Sequence, residues 1–220
     1  MSDLLKLLKR DIEPFEVKVV PINQCYQCTI DDGFEDVAQF APLVDYLNSA
    51  VEGDVAYIKI STPGGALHAI IPLIEAMNNT EAHIAMHVES DTASAGTILM
   101  MLADEVYINP YTTIMIHTAS YGFYGHSGNM ESHVAHNTKG IEKLVNDIYK
   151  DFLTKDEIAR VLDGREIYLT AEDCNMRFKY RQDVRAGNVP VQKKVRKPRT
   201  KRVNAVEAPA QQDVITNFVE

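Results

Sequence analysis

The feature that most constrains this chain is an alternation of two hydrophobic periods across its middle. "FAPLVDYLNSAV" carries Leu43, Val44, Leu47, Ala50 and Val51 at helical spacing, and the short β-rich run "DVAYIKIS" follows it. "TPGGALHAIIPLIEAM" then breaks with Pro63, Gly64 and Gly65 and starts a helix near Ala66, with a kink or early break expected at Pro72. "AHIAMHV" reads as a strand, "ESDTASAGTILMMLA" as a turn into a helix apolar all round and therefore buried, and "EVYINP" and "TTIMIHTA" as two strands separated by Asn109-Pro110. A long helix is expected from about Asn129 to Leu153, with Ile141, Leu144, Val145, Ile148 and Phe152 on one face. Thr154 with Glu157 has capping-box spacing, and "EIYLTAEDC" gives a last short strand before a helix that begins at Thr170 with Asp173. Strands alternating with helices point to an α/β fold of stacked β-α units and exclude a helical bundle.

A chain of 220 residues with 45% hydrophobic content supports one domain of ordinary size. No run approaches the length of a membrane span, and "MSDLLKLLKRDIEPFE" lacks a signal peptide's apolar block, so a soluble, cytoplasmic protein is expected. Three cysteines argue against a disulfide framework. Cys25 and Cys28 form a C-x-x-C pair that nothing completes into a zinc site, so neither metal nor cofactor is expected. The formal charge of −9 is unevenly spread, because "VQKKVRKPRTKR" holds seven basic residues and no acid. Residues 187–220 therefore read as a basic, disordered tail open to an acidic or nucleic-acid partner, after an amino-terminal segment 1–25 and a folded domain 26–186.

Three places could carry chemistry. Ser94 lies in "TASAG" at a strand-to-helix junction, where unpaired N–H groups and the helix dipole favour a developing oxyanion. By itself a serine there is also a good N-cap. "STPGG" ends the preceding unit, and Gly64 and Gly65 allow N–H groups to point into open space. His117 closes the run "TTIMIH", and the glycine-rich, aromatic loop "ASYGFYGHSGN" after it could pair with a peptide backbone.

In their order and spacing, "STPGG", "ASAG", "MIH", a long helix and "REIYLTAED" resemble the ClpP serine peptidase family, from about Tyr26 to Cys174. The resemblance implies a ClpP/crotonase-type superhelix of repeated β-α units with a long handle helix. It implies Ser94 as nucleophile, His117 as general base, and the main-chain N–H groups of Gly65 and Ala95 as oxyanion hole. Gly64, Gly122 and Phe123 become candidate substrate-binding positions. Glu166 stands where the family has an acidic triad member, with Asp163 the alternative. The resemblance further implies polypeptide substrates and a homo-oligomer of stacked rings enclosing the sites. ATP would be used only by a partner AAA+ unfoldase, which the short segment before Tyr26 puts in question. The variant ends and the basic tail look like phage-encoded relatives, for which capsid or scaffold maturation is the corresponding role. A ring-forming scaffold without catalysis is the remaining alternative.

Overall fold

The computed structural model describes residues 23–122 and 126–188. The amino-terminal segment up to residue 22, Phe123 and the basic tail beyond residue 188 lie outside the described residues. The alternation resolves into two small sheets. Strands β1 (Cys25–Ile30), β2 (Val55–Ile60), β3 (His83–Val88) and β5 (Glu105–Ile108) form a parallel sheet in the order β1-β2-β3-β5. Strands β4 (Thr92–Ala93), β6 (Thr113–Ile116) and β7 (Ile167–Thr170) form the second, with β4 and β6 parallel and β6 and β7 antiparallel. This is a mixed α/β fold.

Helix α1 (Ala41–Ser49), preceded by a 3-10 turn at Val37–Phe40, joins β1 to β2; α2 (Leu67–Asn79) joins β2 to β3. Parallel neighbours need such crossovers, and their apolar faces close the core. Ala56, Ile58 and Ile60 of β2 meet Leu43 and Leu47 of α1 and Ile70 and Leu73 of α2 in one buried cluster. The helix α2 runs through Pro72 without ending there, so the expected early break does not occur. Proline removes one intrahelical donor, and the burial of Ile70, Leu73, Ala76 and Met77 around it offsets that loss.

Helix α3 (Ala95–Leu102) is buried at every position from Ala95 to Met101, in keeping with its apolar sequence. The long helix α4 spans Ser127–Ile148, ending five residues before the expected Leu153. Asp151, in the turn after α4, adopts φ +61°, a left-handed conformation, and Phe152 and Leu153 directly beyond it are buried in the core. The carboxy-terminal part of α4 packs into the core, with Val145 and Ile148 buried, whereas Met130 and Val134 are exposed. Helices α5 (Lys155–Leu162) and α6 (Ala171–Arg185) both open with full capping boxes, Thr154 with Glu157 and Thr170 with Asp173. Among the described residues no helix is long and apolar enough to cross a membrane.

Candidate active site

The short strand β4 ends one residue before α3 begins, and Ser94 occupies the joint. Its backbone sits at φ 54°, ψ −127°, a region disfavoured for any residue with a Cβ and costing roughly 1–3 kcal/mol. Hydrogen bonds on both sides hold it there. Ala93 N–H donates to the Thr62 carbonyl at 2.9 Å, Ser94 N–H to the Met115 carbonyl at 2.9 Å, and Thr97 N–H to the Ser94 carbonyl at 3.0 Å. Although Ser94 stands at the N-cap position of α3, its side chain caps nothing. The hydroxyl instead lies 2.6 Å from Nε2 of His117. The two residues meet because β4 pairs with β6 through Thr92–Ile114 and Ala93–Met115, bringing the residue after β4 alongside the end of β6.

The loop before α2 supplies the second wall. Phe34 forms an isolated parallel bridge with Gly65, in which Phe34 N–H donates to the Gly64 carbonyl and Ala66 N–H to the Phe34 carbonyl. In a parallel bridge the central residue directs its own amide to the opposite side. Gly65 N–H thus has no acceptor among the described residues and faces away from Phe34. The contact is so close that a Cβ on Gly65 would lie 2.4 Å from the Phe34 carbonyl oxygen. Gly64, at φ 87°, lets the loop press against the serine joint: a Cβ there would lie 2.6 Å from that of Ser94 and 2.9 Å from the Ala95 nitrogen. The N–H of Gly64 donates to Thr62 Oγ1 and its carbonyl accepts from Phe34, so Gly64 shapes the wall through its missing side chain while both its amide groups are occupied. Ala95 N–H belongs to the first turn of α3, whose amides lack intrahelical acceptors.

The acidic candidates are placed differently. Glu166 lies one residue before β7 and His117 one residue after β6, directly past the Ile116–Ile167 pair. The Glu166 carboxylate nonetheless accepts the Tyr168 hydroxyl at 2.5 Å, and His117 Nδ1 has no partner among the described residues. Asp163, exposed at the end of α5, makes no contact with His117. Gly122 is exposed, with open space where a Cβ would stand.

Ser94 and His117 open into a cavity of about 370 Å³. Its walls include Leu67, Ile98, Met115, Ile141, Leu144 and Tyr149, with Ser94, His117 and Ser120 as polar members of a largely apolar lining. The cysteine pair is elsewhere. Cys25 and Cys28 are three apart on β1 and so on opposite faces of the sheet; burial pushes the Cys28 thiol up to about 11. Among the described residues no group of three His, Cys, Asp or Glu side chains could hold a metal ion.

A serine forced into a strained strand-to-helix joint, with a histidine on its hydroxyl and free amides beside it, defines a hydrolase-type site on a mixed α/β scaffold. Residues 32–177 match the Clp protease family, and the chain belongs to it. Membership of this family implies a peptidase, broadly a hydrolase. Members of the family generally assemble into rings and work with partner ATPases.

Sequence reading had not singled out Thr97, Tyr149, Phe34 or Tyr168. Thr97 was within reach, since a residue three after Ser94 lies over the same helical turn. Tyr168 was likewise within reach, two residues from Glu166 on one strand, whereas Tyr149 and Phe34 reach the site only through tertiary contacts.

Proposed function

We propose that this chain is a serine endopeptidase that cleaves unfolded or partner-delivered polypeptides through an acyl-enzyme. The observation that carries the reading is the 2.6 Å contact between Ser94 Oγ and His117 Nε2 at the strained joint. His117 takes the Ser94 proton as Oγ attacks the peptide carbonyl, and the N–H groups of Gly65 and Ala95 donate to the developing oxyanion. His117 then protonates the leaving amine, and a water activated by the same imidazole releases the acyl group. The positive end of α3 adds to the stabilisation of negative charge. The largely apolar cavity suits a bulky aliphatic or aromatic side chain on the acyl side of the scissile bond and disfavours a charged one, because no Asp, Glu, Lys or Arg lines the wall to offset its desolvation. Gly122, with its open surroundings, is a place for the substrate backbone. Copies of the chain form a ring-shaped chamber around the sites, with the exposed face of α4 as one contact between copies.

The Glu166 carboxylate bonds Tyr168 and makes no bond to His117, and this supports a second reading, a ring-forming scaffold whose site does not turn over. The deciding experiment is hydrolysis of a short fluorogenic peptide and an unfolded protein, without ATP, by size-fractionated wild type and Ser94→Ala. Activity in the large wild-type species and none in the variant supports the peptidase. Equal signals from both in every fraction would remove the assignment of Ser94.

A further inference from the structure

The carbonyl of Ser94 is held by more than its helix. Thr97 Oγ1 donates to it at 2.7 Å, in addition to the Thr97 N–H. A threonine hydroxyl has a single proton, so the 2.6 Å contact between Thr97 Oγ1 and the Tyr149 hydroxyl is one in which Tyr149 donates. A directed chain results, from the Tyr149 O–H to the Thr97 O–H to the Ser94 carbonyl. Tyr149 is 3% exposed and follows the last residue of α4, so the donor comes from a different part of the fold and is fixed by burial. Burial also pushes its phenol well above the ordinary tyrosine range, and the group stays a neutral donor.

The bond matters because of what lies at the other end of the same peptide unit. The Ser94 carbonyl and the Ala95 N–H share one planar peptide group and point in opposite directions. Fixing the carbonyl therefore fixes the direction of the amide. Resting on the reading of Ser94 as nucleophile, we infer that Thr97 and Tyr149 are positioning residues that aim the Ala95 N–H at the oxyanion. Neither touches the reacting atoms. Low mobility in such a donor is what lets it act without reorganisation during the reaction.

The test compares full-chain Thr97→Val, Thr97→Ser, Tyr149→Phe and the Thr97→Val/Tyr149→Phe double variant. Rates are normalised by titrating the reactive serine with a fluorophosphonate, so that only folded sites are counted. Thr97→Val and Tyr149→Phe should each lower kcat by about 10-fold with KM within about twofold, a smaller loss than the roughly 10²- to 10³-fold of deleting a donor. Affinity for a peptide boronate, whose tetrahedral adduct occupies the same hole, should fall by the same factor. Thr97→Ser should restore the rate, and the double variant should be no slower than Thr97→Val, since both substitutions break one chain. Unchanged kcat in both single variants, equal rates for Thr97→Ser and Thr97→Val, or losses that multiply in the double variant would overturn the inference. Hydrolysis surviving in Ser94→Ala would instead remove the reading beneath it, a result independent of Thr97.

Discussion

His117 and Glu166 face each other across the end of the antiparallel β6–β7 pair, yet the Glu166 carboxylate is bound by Tyr168, two residues further along its own strand. Residues two apart on a strand share a face, and Tyr168 holds Oε2 of the carboxylate on the residue paired past the end of the ladder with His117. Tyr168→Phe releases that oxygen and is expected to raise kcat severalfold by letting the carboxylate turn to the imidazole. With Glu166 proposed as the acidic member of the triad, Glu166→Gln should lower kcat by at least about 10²-fold, since a neutral amide cannot stabilise the imidazolium. Steady-state kinetics on both variants checks this. A Glu166→Gln enzyme with wild-type kcat would leave Ser94 and His117 working as a dyad.

Gly65 is the position where the backbone wall tolerates no side chain. Gly65→Ala would place a Cβ 2.4 Å from the Phe34 carbonyl oxygen, so the loop must move and take its free amide with it. The expected result is a loss of about 10²- to 10³-fold in kcat, the cost of one oxyanion donor, with the folded state retained. Kinetics alongside circular dichroism separates this from unfolding.

The start of α3 is packed as tightly as the loop opposite it. A Cβ on Gly96 would lie 2.5 Å from Thr62 Cγ2 and 3.0 Å from Thr92 Cγ2. Gly96→Ala is expected to destabilise the protein by about 1–3 kcal/mol through overpacking. Thr62→Ser removes the nearer methyl and keeps the hydroxyl that donates to the Asp32 carbonyl and accepts from Gly64 N–H. The double variant should therefore recover part of the loss in a denaturation experiment. Additive losses would count against direct contact.

Acid should weaken the joint between α5 and α6. Arg177 donates to both carboxylate oxygens of Glu157, at 2.9 and 2.8 Å, and to the Phe152 carbonyl at 3.0 Å. The Arg177 guanidinium lowers the Glu157 carboxyl from 4.5 to about 2. A carboxyl depressed in the folded state contributes stability that is present above its unfolded value and lost as pH falls through its folded one. The contribution from Glu157 should thus fade between about pH 4.5 and 2. Glu157→Gln is expected to lower the melting temperature at pH 7 by a few degrees and to flatten its pH dependence in that window. An unaltered acid slope in thermal melts would reject this.

Much of the molecule was legible before any fold was known. The helices of α1, α2 and α3, the strands β2 and β3, and both capping boxes follow from periodicity and local hydrogen-bonding chemistry, which act over a few residues. What sequence reading missed has the opposite character. The two-residue strand β4 shows no period of its own, and β1, from Cys25, reads as strand only beside β2. Helix α4 ends at Ile148, short of the expected Leu153, and the turn that follows, with Asp151 at positive φ, leaves Phe152 and Leu153 in the core as non-helical residues.

The candidate site divides along the same line. Sequence alone determined which groups are available: a serine at a helix start, a Pro-Gly-Gly turn, a histidine ending a strand, and an acid before the last strand. Their types and order are local properties of the chain. Tertiary structure decided what those groups do. It turned the Ser94 hydroxyl from a cap toward His117, occupied the amide groups of Gly64 and left that of Gly65 open, joined Tyr149 to the Ser94 carbonyl through Thr97, and gave the Glu166 carboxylate to Tyr168. The bonds to His117 and Tyr149 join residues far apart in the chain. Those of Gly64 to Thr62 and of Glu166 to Tyr168 are local but take their geometry from the surrounding fold, and a hydrogen bond's direction is set by where both partners are held.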